Sequence, residues 1–331
     1  MPLPRADAAP RPAASGRHRV RAFGLEVDAS FPVPGLPAAV GAPLGPATTV
    51  DLVPDAEVDR DWPAGAADRV LEERFGSDTE PARTIDVHPV AGYRLYARHF
   101  GLARISPDGG RVICAPPGPA EWDWQRFLVG RILPWAAVLR GYEAFHASAV
   151  AVGGRVVAFV GPTGAGKTSL ALRLVADGGE FVTDDVLAVD LRDGEPHGHP
   201  GAGIASVRPS ERESIPSEVW GGLGSVLGES GKTYLALPRA EGPRPLAAVY
   251  FLRTGEGAAI EPMAGPDPRL LLASTFVLGV QTPGRLRNQL DVCAAIATAV
   301  PAFGLCVTAG LDSAGLARAV AEHLAAEGVA R

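Results

Sequence analysis

The sequence predicts an α/β domain of about 200 residues around a phosphate-binding loop, preceded by a smaller β-rich region. Three observations lead there. Gly161-Pro-Thr-Gly-Ala-Gly-Lys-Thr168 matches GxxxxGK[ST] in full, an apolar strand (Val156–Val160) leads in, and a helix-like segment leads out. Strand-like and helix-like runs are mixed through residues 119–331, whereas residues 20–118 read mainly as short strands.

Composition narrows the function classes. The 331 residues are 47 % hydrophobic and 21 % charged, which excludes a wholly disordered chain. A net charge of −6 offers no general grip on nucleic acid phosphates, so no nucleic acid partner is expected. Cys114, Cys293 and Cys306 are widely spaced, with no CxxC or Cys/His cluster; free, buried thiols of an intracellular chain are expected. Residues 1–19 are rich in Pro, Ala and Arg and lack the apolar core of a signal peptide, so they read as a disordered tail. The uncharged stretch Val292–Leu311 has the length of a membrane span. Pro301, Gly304 and Gly310 break it into a helix ending near Val300, a turn and a buried strand, Gly304–Thr308. A cytoplasmic chain with no membrane partner is the expectation.

In the 20–118 region, Val20–Val27, Val50–Val53 and the alternating Tyr93–His99 read as strands. Ala103–Ser106 and Arg111–Ala115 flank Pro107-Asp-Gly-Gly110, a hairpin signal. Ala115-Pro-Pro-Gly-Pro119 reads as a linker into the 119–331 domain. There, Glu121–Arg140 has helical spacing with a kink expected at Pro134. Glu143–Val152 and Arg155–Val160 form two strands around Gly153-Gly154. A helix from Lys167 to about Asp177 ends at Gly178-Gly179. Phe181–Thr183, Val186–Leu191 and Ala247–Arg253 read as strands, and Arg269–Val280 and Leu286–Val300 as helices. Asp312 is the expected N-cap of a last helix ending before Gly328.

The loop chemistry dictates its residues. In the loop Gly161, Pro162, Thr163, Gly164, Ala165 and Gly166 the glycines let the backbone curl so that its N–H groups (Pro162 has none) point at an anion, and the helix N-terminus adds partial positive charge. Lys167, expected as an exposed loop lysine, reaches the outer phosphates; Thr168 offers a hydroxyl to Mg²⁺, and Ser169 follows. Gly228-Glu-Ser-Gly-Lys-Thr233 also ends in GKT, but Val226 stands where the first glycine belongs, so it is not a second loop. No guanine-reading NKxD motif is present. Asp184-Asp185 follows the strand Phe181–Thr183, and in a parallel sheet both carboxylates would lie at its C-terminal edge beside the loop. One can hold Mg²⁺ while the other accepts a proton. His146 reads either as a core histidine or as a residue of the same sheet edge. Of the 31 basic residues only Lys167 and Lys232 are lysine. Lys232, between Gly231 and Thr233, is thus either a catalytic lysine offered to the transferring phosphoryl or a surface residue.

The phrases Phe145-His-Ala-Ser-Ala-Val150, Phe159-Val-Gly-Pro-Thr-Gly-Ala-Gly-Lys167 and Thr183-Asp-Asp-Val-Leu187 resemble the HPr kinase/phosphorylase catalytic domain. They are more similar still to the divergent HPr-kinase-like serine kinases, some of which accompany ribosomally made peptides such as lasso peptides. Arg21-Ala-Phe-Gly-Leu25 and Phe31-Pro-Val-Pro-Gly-Leu36 resemble the start of that branch. The resemblance is specific over residues 143–190. It implies a P-loop kinase fold of the HPr-kinase/PEP-carboxykinase-like type, with ATP and Mg²⁺ as cofactors. It further implies His146 beside the phosphates, Asp184 activating an acceptor serine and Asp185 near Mg²⁺ together with Thr168, the order of the two aspartates remaining open. Pro162-Thr163 and Ser169 replace the family's Asp-Ser and acidic residue, and no Glu-x-Arg-Gly element follows. Phosphorylation of HPr itself and the reverse phosphorolysis are therefore not expected.

The expected activity is phosphoryl transfer from ATP to a hydroxyl, a serine of a peptide or small protein, with the 20–118 region recognising the substrate. A small-molecule kinase and a nucleotide-binding regulatory module without turnover are the alternatives. The oligomeric state stays open, a homo-oligomer included.

Overall fold

A computed structural model describes residues 16–329 apart from 64, 66, 77–78, 119–121, 256–258, 264–266 and 308–312. Most of the expected N-terminal tail, part of the 115–119 linker and the expected cap Asp312 lie outside the described residues. Two units result: residues 16–21 with 26–132, and 22–25 with 133–329.

The first unit carries β1 (His18–Ala22), β2 (Leu25–Ala29), β3 (Thr48–Leu52), α1 (Asp55–Asp59), β4 (Asp68–Glu73), β5 (Arg83–His88), β6 (Gly92–Ala97), β7 (Gly101–Ile105) and β8 (Arg111–Ala115). Their sheet order is β1-β2-β3-β8-β7-β6-β5-β4. The run Val20–Val27 is not one strand: Phe23 and Gly24 have φ of 55° and 82°, and the chain doubles back there. The hairpin around 107–110 forms with Ile105 opposite Val112. The highly charged β4 carries no apolar alternation that would reveal it in sequence. Next come α2 (Trp122–Phe127), a π-helical turn (Leu128–Ile132) and α3 (Leu133–Leu139). The hydrogen-bond pattern changes just before Pro134, which lacks an N–H and crowds the preceding turn. Trp124 packs on Phe31 and Phe127 stacks on Phe100 with ring centroids 5.0 Å apart, so α2 groups with the first unit rather than with the loop domain.

In the second unit follow β9 (Glu143–Phe145), β10 (Ala147–Val152), β11 (Arg155–Val160), α4 (Lys167–Ala176), β12 (Glu180–Thr183), β13 (Leu187–Arg192), β14 (Glu195–His199), β15 (Ile204–Val207), α5 (Pro209–Ser214), α6 (Ser217–Leu223), β16 (Ser225–Glu229), β17 (Thr233–Ala236), β18 (Arg244–Thr254), β19 (Ile260–Pro262), α7 (Pro268–Ala273), α8 (Pro283–Ala299), β20 (Ala302–Val307) and α9 (Ser313–Ala326). The large sheet runs β12-β10-β11-β18-β14-β13-β9, with β20 beside β18 and β19 beside β20; β15-β17-β16 form a small separate sheet. Period-two alternation in β11 divides its side chains between two cores. Val157 and Phe159 pack with Leu170 and Leu174 of α4 and Val320 of α9, while Val156, Ala158 and Val160 pack with Val292 and Ile296 of α8. Helices thus cover both faces of the sheet.

The sheet is mixed rather than parallel. β11 pairs in parallel with β18, but β10 is antiparallel to both β11 and β12. Two reversals give β12 the direction of β11, so the C-terminal ends of both strands meet one sheet edge. The expected helix 269–280 is also shorter. It stops at Ala273, and Ser274–Phe276 instead bonds to β9 through His146 N–H to Ser274 O (2.6 Å) and Phe276 N–H to Ala144 O (2.8 Å). A buried cluster holds this segment: Arg285 donates to Glu143 Oε1 and to Val277 O, both at 2.9 Å, and Gln289 to Thr275 Oγ1 at 2.7 Å. Within residues 292–307 the helix α8 ends before Pro301 as expected, and β20 follows from Ala302, two residues ahead of the expected Gly304; residues 308–311 lie outside the described residues. Among the described residues no helix is long and apolar enough to cross a membrane.

Candidate functional site

The GxxxxGK[ST] motif forms the link between β11 and α4. Gly164 and Gly166 have φ of 88° and 90°, backbone that a side chain at either position would strain. Gly161 has a different need: a Cβ there would lie 2.8 Å from Leu252 O on β18. Lys167 begins α4 and is only 7 % exposed, which corrects the expectation of an exposed lysine. Its ammonium donates to Gly161 O at 2.7 Å and Pro162 O at 3.2 Å, folding the stem back over the loop. Burial lowers its pKa, against the opposing pull of Asp185 and Asp184.

Asp184 stands just beyond β12. Its Oδ1 accepts from Thr168 Oγ1 at 2.9 Å and from Ser148 Oγ at 2.6 Å, and its Oδ2 accepts from Ser206 N–H at 3.0 Å. Desolvation and the neighbouring Asp185 nevertheless push its pKa up to about 6, outweighing those three donors. Asp185 is exposed, with φ 66°, at the centre of a three-residue turn closed by Val186 N–H to Asp184 O at 2.9 Å. Positive φ in such a turn is strained, by about 1–3 kcal/mol. The strain turns the two adjacent carboxylates to different surroundings: Asp184 inward on the loop helix, Asp185 outward.

His146 occupies the break between β9 and β10, which the sequence reads as one strand. It is half-buried rather than a core residue. Its Nδ1–H donates to Asp185 O at 3.0 Å, since a carbonyl only accepts; in the neutral ring this leaves Nε2 as the basic nitrogen. The ring stacks on Phe276, centroids 6.1 Å apart. Removing it uncovers little core, so His146→Ala is expected to change stability by about 1 kcal/mol or less while slowing turnover. Melting temperature and specific activity on one sample check this; a large loss of stability with normal specific activity would contradict it.

Lys167, Thr168, Asp184, Asp185 and His146 are therefore drawn together. Lys232 is not joined to them: among the described residues its ammonium has no hydrogen bond or ion pair with the loop or the carboxylates. The GKT run it belongs to is the tip of the β16–β17 hairpin, with Gly231 at φ 67°. Lys232 lies one residue beyond the pair Val207–Thr233, at the end of the small sheet nearest Arg208. Ser148, Ser206 and Arg208 are site neighbours that the motifs did not reveal. Ser148 left a trace, a lone hydroxyl in the otherwise apolar β10. Ser206 and Arg208 left none, because only the fold brings β15 to the loop. Among the described residues no group of three or more His, Cys, Asp or Glu side chains could hold a metal. The oxygens of Thr168 and the two aspartates are hard donors of the kind Mg²⁺ takes, in sites completed by phosphate and water.

No protein-family profile matches the chain. Over 125 residues it is 35 % identical to a tRNA dimethylallyltransferase of Cereibacter sphaeroides (strain KD131 / KCTC 12085) and 34 % identical to that of strain ATCC 17029 / ATH 2.4.9. Each alignment covers 35 % of this chain and 37 % of the relative, so the chain spans little more than a third of these curated relatives. Among solved structures it is similar to the Hpr(Ser) kinase/phosphatase from Coxiella burnetii, with a TM-score of 0.32 and 12 % identity, covering 56 % of this chain and 99 % of that one.

Proposed function

We propose that this chain is an ATP- and Mg²⁺-dependent phosphotransferase of the HPr-kinase-like type, moving the γ-phosphoryl group to the hydroxyl of a serine in a peptide or small protein. The observation that carries the reading is the 2.9 Å hydrogen bond from the loop hydroxyl of Thr168 to Asp184, beside Lys167 on the same loop. A glycine loop, an ammonium, a hydroxyl and a carboxylate are the set that phosphoryl transfer uses.

Within this reading the loop amides and Lys167 bind the outer phosphates. Thr168 and Asp184 would hold Mg²⁺, which when bound neutralises charge on the β- and γ-phosphates. Asp184 suits that side of the site because it already bonds the Thr168 hydroxyl and lies within electrostatic reach of Lys167. Asp185, exposed at its strained turn, would take the acceptor proton as the new O–P bond forms and the bond to ADP breaks. This reverses the first-named order of the two aspartates. His146, bonded to the Asp185 carbonyl, would hold that turn. The region before the loop domain would bind the peptide.

Incubating the protein with γ-labelled ATP and serine-containing peptides, with basal hydrolysis as the reference, tests the proposal. Label on a peptide serine is the expected result. Label only on small hydroxyl compounds makes it a small-molecule kinase, and binding without turnover makes it a regulatory module. Lys232 is proposed to approach the phosphoryl group from the hairpin tip. Lys232→Arg is then expected to lower turnover roughly tenfold or more at an unchanged melting temperature, and wild-type kinetics would assign it to the surface.

A further inference from the structure

Arg208 stands between the last residue of β15 and the first of α5 and is half-buried. Two residues earlier, the Ser206 N–H is bound to Asp184, so the chain reaches Arg208 already pinned to the candidate site. Its own backbone N–H donates to Glu211 Oε2 at 2.9 Å, which fixes the direction in which the side chain leaves. That side chain lies against the phosphate loop: a Cβ at Gly164 would come within 3.1 Å of Arg208 Nη1.

The electrostatics give this placement a purpose. Arg208 is close enough to Lys167 to depress the ammonium pKa. Two cations beside one glycine loop repel each other, though less than Asp185 and Asp184 attract the ammonium, and among the described residues the Arg208 guanidinium has no hydrogen bond or ion pair. An anion between them reverses the sign of the interaction. The loop amides and the α4 N-terminus approach a bound phosphate chain from the helix side. Arg208 comes instead from β15, the strand that touches Asp184. A guanidinium fork suits phosphate oxygens better than a second ammonium would.

We propose that Arg208 contacts the terminal phosphoryl group of a nucleoside triphosphate bound in the 161–168 loop, as a cis-acting arginine that stabilises charge on the group being transferred. This rests on the nucleotide-binding reading above. The test is to titrate the folded full-length protein, Arg208→Gln and Arg208→Lys with Mg²⁺ and either ADP or a non-hydrolysable ATP analogue. Retained ADP binding serves as the check on folding. Arg208→Gln is expected to weaken the analogue roughly tenfold or more and ADP by less than about threefold, with Arg208→Lys recovering only part of the loss. Equal weakening of both ligands, or of neither, would overturn the assignment to the terminal phosphoryl. Should the wild type bind neither nucleotide, the nucleotide reading fails and Arg208 with it. Should the wild type bind both and the variants match it, Arg208 alone is wrong.

Discussion

Lys167→Ala is expected to reduce phosphoryl transfer by about 10²–10³-fold or more, the cost of removing one aimed charge donor from a site where negative charge develops. Nucleotide binding should weaken in parallel, because the same ammonium is proposed to serve the bound phosphates. The fold should survive. The ammonium is buried and desolvated, which disfavours it, but it donates to Gly161 O and Pro162 O, which favours it. These terms oppose, so the net change in stability is expected to be within about 1 kcal/mol. Equilibrium unfolding and a turnover assay on one preparation check both parts. A folded variant that turns over as wild type does would remove the loop from the mechanism.

Asp184→Asn is expected to slow transfer by about 10²-fold or more, the cost of a weakened metal clamp on the transferring group, raise the Mg²⁺ requirement and, above pH 6, raise the melting temperature. The sign follows from the environment. The carboxyl is raised from 3.8 to about 6 by desolvation and Asp185, so the folded protein favours its neutral form. The stability tied to that form is full below about pH 4 and lost as pH rises through about 6. The amide stays neutral throughout. Its carbonyl can accept from Ser206 N–H while its NH₂ donates to the Ser148 and Thr168 hydroxyls, which rotate to receive it. The gap between variant and wild-type melting temperatures should therefore open between pH 4 and 6 and stay open at pH 8. A variant less stable than wild type at pH 8 would contradict this account of Asp184. Asp185→Asn, on the exposed side, should instead slow transfer with nucleotide binding kept.

What the sequence reveals here is whatever is written in contiguous residues. The strand, the glycine loop and the helix lie within Val156–Asp177, and each is dictated locally, by an apolar run, by glycines that admit positive φ and by helical spacing. The hairpin at Gly153-Gly154 is legible for the same reason, with Val152 opposite Arg155. The pairing of β12 with β10 is not, because a strand with an antiparallel neighbour and one with a parallel neighbour carry the same apolar run Phe181–Thr183. The break at His146 is also hidden: β9 and β10 differ in their partners, β13 and β11, rather than in their composition. Likewise Arg269–Val280 carries apolar spacing throughout, yet tertiary bonds to β9 take residues 274–276 out of the helix. The pair Asp184-Asp185 is visible at once, but its division of roles depends on a turn at Asp185 and on Ser148 and Ser206, which no spacing connects. Arg208 is the extreme case. It is one arginine among 29, and only contact with Gly164 singles it out.

The most direct measurement is equilibrium binding of ATP to the wild type and to Lys167→Ala, each with and without Mg²⁺. Sub-millimolar binding by the wild type is expected, strengthening with Mg²⁺ and falling by roughly tenfold or more in the variant. A folded wild type that binds no ATP at millimolar concentration, or a variant that binds as tightly as wild type, would contradict it.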